Sequence, residues 1–216
     1  MQVNISEALR YLGAPSDAAT EALVRLAAAE LEQKVQPRFV YRVLPVTMTE
    51  TGPSLAGLVL PGEMARRMLR DAAQAAILVC TLGAGFETLL RVTEARNMAR
   101  AAALDACGSA FVETGCDAAE REIAARFSDR YLTDRFSPGY GDLPLALQLE
   151  ILRLTAAERR LGITLTESLL MVPTKSVTAI LGICDTPQPA RIRGCSQCHL
   201  KQTCAFRKRG TTCGAS

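Results

Sequence analysis

The sequence predicts an α+β domain built on a mostly antiparallel sheet with flanking helices, followed by a short Cys-rich C-terminal appendage. Three observations carry this expectation. Helix-period and strand-period stretches both occur, but they do not alternate regularly as a doubly wound fold requires. Two strand-like runs, Ser168 to Val172 and Ser176 to Ile183, are separated only by Pro173, Thr174 and Lys175, as in a hairpin. Pro187, Gln188 and Pro189 then divide the chain into a domain over residues 1–186 and a basic, cysteine-rich segment over 187–216.

Taken in order, Ser6 to Leu12 reads as a short helix stopped by Gly13, and Ser16 as the cap of a helix running to about Gln33. Leu23, Leu26, Ala27 and Leu31 would form the buried stripe of that second helix. After Pro37 the period changes: Phe39, Tyr41 and Val43 alternate with Val40, Arg42 and Leu44, the pattern of a strand. Thr51 to Ser54 is turn-rich, Leu58 to Leu60 suits a short strand, and Pro61 and Gly62 introduce a helix to about Ala72. Ala76 to Thr81 is apolar enough for a buried strand. From Phe86 to Arg126 the chain is rich in Ala, Leu, Glu and Arg without proline, so one long helix or two successive ones are expected. Asp142 is placed to cap a helix over Pro144 to Arg160, with Leu147, Ile151 and Leu154 inside and Gly162 ending it.

Composition narrows the class. With 49% apolar and 22% charged residues and no low-complexity tract, intrinsic disorder and a disulfide-scaffold toxin are excluded. The longest apolar stretch, Ala72 to Phe86, is interrupted by Gln74 and two glycines and falls short of the ~20 residues that span a bilayer. The first residues lack a signal-peptide core, so no membrane association and a cytoplasmic location are expected. The net charge of +3 is unevenly spread: Arg191, Arg193, Lys201, Arg207, Lys208 and Arg209 make the tail basic without one acid. With Phe206 as its single aromatic, that tail lacks the stacking pattern of a nucleic-acid binder, and nucleic acid is disfavoured as a partner.

Three motifs could carry chemistry. Cys195, Cys198, Cys204 and Cys213 follow the spacing C-x2-C-x5-C-x8-C, with His199 inside it as a competing ligand. Thiolates so spaced can converge on one ion or cluster, and the surrounding Lys and Arg offset their charge. The spacing suits a 4Fe–4S cluster first and a structural zinc second, with a redox dithiol as a further alternative. Cys184 is a weaker candidate for the same centre, whereas Cys80, Cys107 and Cys116 lie on apolar segments and read as core residues. Gly83-Ala84-Gly85 lacks the third glycine of a dinucleotide fingerprint and reads as a tight strand-to-helix turn. The loop Arg135 to Asp142 combines a guanidinium fork, two flexible glycines and an aromatic ring, a set suited to a carboxylate-bearing ligand, although an ordinary turn with a helix cap would also account for it.

The order Arg135-x-x-x-Gly139-Tyr140-Gly141-x-x-Pro144, then Leu165-Thr166-Glu167-Ser168, then Met171-x-Pro173-x-x-Ser176-Val177 resembles the reactivation domain of cobalamin-dependent methionine synthase. Weaker matches extend the likeness from Arg10-Tyr11-Leu12-Gly13 through Thr81-Leu82-Gly83 to about Ile183. The resemblance implies a C-shaped α+β fold and binding of S-adenosylmethionine. It places Arg135 on the ligand's methionine carboxylate and Ser137, Gly139 and Tyr140 along the pocket. For the acidic contact to the amino group it offers Glu113, one helical turn beyond Ser109, which occupies the aligned place, or else Asp129. The family's aromatic residues after Ser176-Val177 are replaced here by Ala179, Ile180 and Leu181. No Asp-x-His-x-x-Gly loop is present, so cobalamin is expected on a partner chain. The implied role is that of a free-standing reactivation subunit, an S-adenosylmethionine-dependent methyltransferase component. Its partners would be an electron donor and a methionine synthase lacking its own reactivation domain, or another corrinoid protein. A non-catalytic docking module and an iron–sulfur electron-transfer adaptor are the alternatives.

Overall fold

The computed structural model describes residues 1–14 and 17–189. Its centre is a six-stranded, wholly antiparallel sheet, formed by β1 (Arg38–Met48), β2 (Pro53–Leu55), β3 (Leu58–Val59), β4 (Ala72–Thr81), β8 (Ser176–Cys184) and β5 (Tyr131–Leu132). The spatial order is β3-β2-β1-β4-β8-β5. The α+β expectation is therefore met. The hairpin between 168–172 and 176–183 is not: β8 pairs with β4 and β5, while β7 (Met171–Val172) pairs with β6 (Thr164–Leu165) in a separate two-stranded ribbon. The intervening Pro173 follows a cis peptide bond, and the chain leaves the ribbon for the large sheet there. A strand joins the partner that buries its face, and β4 offers a longer apolar edge than two residues of β7 can.

β4 explains the two-layer build. Nearly every residue from Ala75 to Thr81 is inaccessible, which is why the segment reads as a continuous apolar run rather than an alternation. Ala76, Leu78 and Cys80 enter one core with Ala179 and Leu181 of β8; Ala75, Ile77 and Val79 enter a second with Ile180. The first core is closed by α1 (Ile5–Leu12), α2 (Ala18–Lys34), α4 (Gly83–Glu94) and α5 (Met98–Arg126). The second lies under β2, β3, α3 (Glu63–Leu69), α6 (Leu147–Thr155) and α7 (Ala157–Leu161). β1 feeds both: Val40 and Leu44 face the second core, and Phe39, Tyr41 and Val43 pack against the first.

Caps locate the helix ends. Asn4 accepts from the Glu7 N–H, and Gly13 closes α1 in the left-handed region. The cap of α2 is Asp17, whose carboxylate accepts from Thr20, and Ser16 lies outside the described residues. The α2 stripe also shifts by one residue. Val24, Ala27, Ala28 and Leu31 are buried and Leu26 is exposed, because the approach of α5 selects that face. Residues 83–126 form two helices broken at Arg96 and Asn97, whose side chain caps α5. The Gly83-Ala84-Gly85 turn is the first turn of α4, with Gly83 at φ +73.

Other expected boundaries move for local reasons. α3 ends at Leu69, since Ala72 already pairs with Cys184. The turn-rich 51–54 segment contains β2. Over 144–160, two short helices meet at Ala156 in the left-handed conformation, and Gly162 ends the second. Asp142 does not cap α6: its carboxylate accepts from the N–H groups of Glu63 and Met64 at 2.5 and 3.1 Å and caps α3 across 79 residues of sequence.

Close approach of α4 and α5 depends on Gly108. A Cβ there would stand 2.4 Å from Phe86 Cζ and 2.6 Å from Cε2, on a ring with no accessible surface. Alanine restores about 1 kcal/mol of helix propensity but forces overpacking that costs about 1–3 kcal/mol. Gly108→Ala is expected to be net destabilising, lowering the urea midpoint without changing the slope of the unfolding transition.

Candidate functional site

The site begins where the outer edge of β8 receives the chain after α5. Tyr131 and Leu132 pair with Cys184 and Ile183, Thr133 exchanges hydrogen bonds with Gly182, and Phe136 exchanges two with Ile180 at 2.9 and 2.8 Å. Successive side chains of an extended segment point to opposite faces. Phe136 is buried in the second core, and Arg135 consequently faces α5 on the other side of the sheet.

There the guanidinium meets three carboxylates of α5. Arg135 Nη2 donates to Glu113 Oε2 at 2.6 Å, and Nη1 donates to Asp117 Oδ1 at 2.7 Å and Glu120 Oε1 at 2.5 Å. The spacing i, i+4, i+7 stacks these acids on one helical face. The arginine side chain is 10% exposed, against 30%, 47% and 22% for its partners, so the cation is interior and the acids form the rim. Burial works against the guanidinium charge, but Cys116, Glu120, Glu113 and Asp117 more than reverse this and hold it protonated well above the ordinary arginine value.

The acidic face continues one turn toward the helix N-terminus. Lys175 Nζ lies 2.8 Å from Ser109 Oγ and 2.9 Å from Asp105 Oδ1, and Ser109 donates to the Asp105 carbonyl. The Lys175 loop is fixed from both sides: its carbonyl accepts from Leu82 N–H and Thr81 Oγ1, and Glu87 accepts from Thr174 N–H and Oγ1. Tyr11 on α1 borders the cluster. Burial first, then the charges of Glu113 and Glu7, raise its hydroxyl above the usual phenol value.

The buried thiols are structural. A hydrogen bond shared with Cys80, together with burial, pushes Cys116 well above the usual thiol value, and burial with the charge of Glu32 pushes Cys107 up to about 12. Both remain neutral thiols at neutral pH and are poor nucleophiles. Cys184 is likewise buried at the end of β8. Among the described residues no three His, Cys, Asp or Glu side chains are arranged to hold a metal ion, and no helix is long and apolar enough to cross a membrane. Cys195, Cys198, Cys204, Cys213 and His199 lie outside the described residues.

Of the residues singled out in the sequence, Arg135 and Glu113 are brought into contact, and Ser109 lies one turn away but bonds Lys175 instead. Asp129 is 81% exposed and pairs with Arg130, which also pairs with Asp185. Ser137, Gly139 and Tyr140 form a compact loop: Tyr140 N–H donates to the Ser137 carbonyl at 3.0 Å and Gly139 N–H to the Leu143 carbonyl at 2.8 Å. Gly139 is at φ +85 and Tyr140 is half exposed. Sequence reasoning missed Asp117, Glu120, Asp105 and Lys175. The i, i+4, i+7 acid spacing signalled the first two; nothing local connects Lys175 to an acid 70 residues earlier.

This fold is shared with a known class. The chain matches the crystal structure of the MetH reactivation domain bound to AdoHcy with a TM-score of 0.62 at 16% sequence identity, covering 94% of this chain and 77% of that one. The two proteins share a fold. Residues 116–209 match the family model described as vitamin B12 dependent methionine synthase, activation domain. The matched segment contains Asp117, Glu120, the Arg135 loop and β8, and it runs past residue 187 into the cysteine-rich segment. A comparison with curated proteins returns no match.

The Arg135 loop is tied to the second layer by Asp142. Hydrogen bonds from the Met64 and Glu63 N–H groups hold its carboxyl below the ordinary aspartate value of 3.8, with Arg67 adding to the effect. A depressed folded-state pKa contributes stability that is present above the unfolded value and is lost as pH falls through the folded one. Wild type is expected to lose its advantage over Asp142→Asn only below pH 3.8, where equilibrium unfolding of the two should converge. A constant difference down to pH 2 would show that the carboxylate form is not what holds the loop.

Proposed function

We propose that this domain binds S-adenosylmethionine along the Arg135 loop and presents its methyl group to reduced cobalamin carried by a partner protein, so reactivating a cobalamin-dependent methionine synthase or related corrinoid protein. One observation carries the reading. The family-matched loop delivers an interior guanidinium onto a carboxylate-lined helix face at an open sheet edge. The charges suit the ligand, which carries a carboxylate, an ammonium and a sulfonium. Arg135 matches the first, and the carboxylates of Glu113, Asp117 and Glu120 match the other two. Admitting the ligand carboxylate means exchanging one internal acid for an external one at the same fork.

The sulfonium is already an activated methyl donor, so the domain needs no general base. Its contribution is alignment and electrostatics. A separate donor would supply the electron that the partner's cobalamin needs before it accepts a methyl group. The reduced cofactor on the partner would supply the electron pair that takes the methyl group as the carbon–sulfur bond breaks, and S-adenosylhomocysteine would leave without the positive charge. Loss of that charge weakens its hold on an acidic site and favours release.

Calorimetric titration of the purified protein with S-adenosylmethionine tests the site. Arg135→Ala should weaken binding by about 1.5–3 kcal/mol, the range for a hydrogen bond to a charged group. It should also destabilise the fold by about 1–3 kcal/mol, less than a fully buried pair would lose, because the stranded acids reach solvent. Arg135→Lys keeps the charge without the fork and should recover stability better than affinity. Equal affinity in all three proteins would remove Arg135 from the site.

For Cys195, Cys198, Cys204 and Cys213 the reading is one metal centre, a 4Fe–4S cluster in preference to zinc, supported by their spacing and by the basic residues around them. Anaerobically purified protein should show a broad band near ~400 nm that Cys198→Ser bleaches. A colourless protein with stoichiometric zinc would make the tail structural.

A further inference from the structure

The Arg135 guanidinium is engaged before any ligand arrives. Its end-on fork is made by Nη1 and Nη2. Nη2 donates to Glu113 Oε2 at 2.6 Å, and the two hydrogens of Nη1 are divided between Asp117 Oδ1 at 2.7 Å and Glu120 Oε1 at 2.5 Å. A guanidinium grips a carboxylate end-on through two parallel N–H groups, and with both Nη1 hydrogens taken this fork has no such pair to offer. The arginine side chain is only 10% exposed, so its charge cannot stand unpaired in the empty site without a large cost. An internal acid therefore has to hold the cation, and the same acid has to be able to leave it.

The three acids are not held equally. The Asp117 side chain is 47% exposed, against 22% for Glu120 and 30% for Glu113. Water already reaches Asp117 and can replace the hydrogen bond that it gives up, whereas Glu120 is the most enclosed of the three. Asp117 also has the shorter side chain. One rotamer change about its Cα–Cβ bond carries the carboxylate off the arginine, and α5 itself stays fixed by the inaccessible Cys116 and Ala119 on either side. Glu113, on Nη2, has the ligand's ammonium to meet.

We propose that Asp117 is an internal occupant of the carboxylate position, an autoinhibitory contact that the ligand's own carboxylate displaces from Arg135. This rests on the function proposed above and adds the regulation of that site. The empty protein keeps its interior cation paired, and apparent affinity for a carboxylate-bearing ligand is reduced by the fraction of molecules in which Asp117 has let go. A ligand that lacks the carboxylate leaves the contact intact and is indifferent to it. Removing the Asp117 charge therefore strengthens binding, the reverse of what loss of a ligand-contacting acid does.

The test titrates S-adenosylhomocysteine, and 5′-methylthioadenosine as the same nucleoside thioether without the amino-acid end, into wild type, Asp117→Asn, Asp117→Ala and Glu120→Gln. Asp117→Asn should bind S-adenosylhomocysteine about 3–10-fold more tightly than wild type, a gain between those expected for an exposed ion pair and for an enclosed charged hydrogen bond. Asp117→Ala, which also removes the acceptor, should gain at least as much, and Glu120→Gln should gain nothing. Affinity for 5′-methylthioadenosine should be the same in wild type and both Asp117 variants. Equal or weaker binding of S-adenosylhomocysteine by both Asp117 variants overturns the proposal, as does an equal gain for the two ligands or a gain in Glu120→Gln alone. Binding of S-adenosylhomocysteine by the Asp117 variants but not by wild type is the expected result at its limit. No binding by any of the four proteins overturns the proposed function, and the inference with it. Should 5′-methylthioadenosine not bind, the S-adenosylhomocysteine affinities of the four proteins decide by themselves.

Discussion

The paired hydrogen bonds between Phe136 and Ile180 determine which way the Arg135 loop faces. In an extended segment a shift of one residue exchanges the two faces, so this bridge sends Phe136 into one core and Arg135 toward α5. Phe136 is among the largest fully buried side chains. Its burial is worth roughly 1.5–3 kcal/mol and holds the register against slippage. The arginine is thus positioned by the apolar residue beside it, and the acids it meets were already aligned by helical periodicity on α5. An electrostatic site is built here by two local geometries that owe nothing to charge.

Charge then decides what the assembled site tolerates. Arg135 is interior and its three carboxylates are peripheral, an arrangement that keeps the cation desolvated and the acids adjustable. The reverse layout would bury surplus negative charge at much greater cost. Lys175 and Asp105 pair about two turns nearer the helix N-terminus than Glu113, separate from the Arg135 cluster.

Much of this was legible in the chain. The mixed class, the buried run of β4, the breaks at Gly13 and Gly162 and the core role of Cys80, Cys107 and Cys116 follow from local pattern, because burial on both faces and left-handed glycines leave direct marks on composition. The motif around Arg135 singled out the loop that the structure sets against the α5 carboxylates. What stayed hidden depends on distant partners. Asp142 looks like the cap of the helix that follows it, yet it caps α3, and Ser176 to Ile183 looks like half of a hairpin, yet it crosses to β4. In both cases the nearer partner was sterically acceptable and the farther one buried or satisfied more.

The adjacency of β4 and β8 has a consequence for the chain as it is made. Thr81 and Ser176, hydrogen-bonded in the finished sheet, are 95 residues apart. At ~5–20 residues per second, synthesis takes roughly 5–20 s to cover that interval. For that time β4, buried from Ala75 to Thr81 in the finished sheet, has β1 on one side and nothing on the other. A bare edge of this kind templates association with other chains. α4 and α5, which follow immediately, can cover one face of β4 but not its edge. The nascent protein therefore passes through a sticky half-sheet before β8 arrives, and the same closing strand that ends this exposure also brings the edge on which the Arg135 loop is assembled.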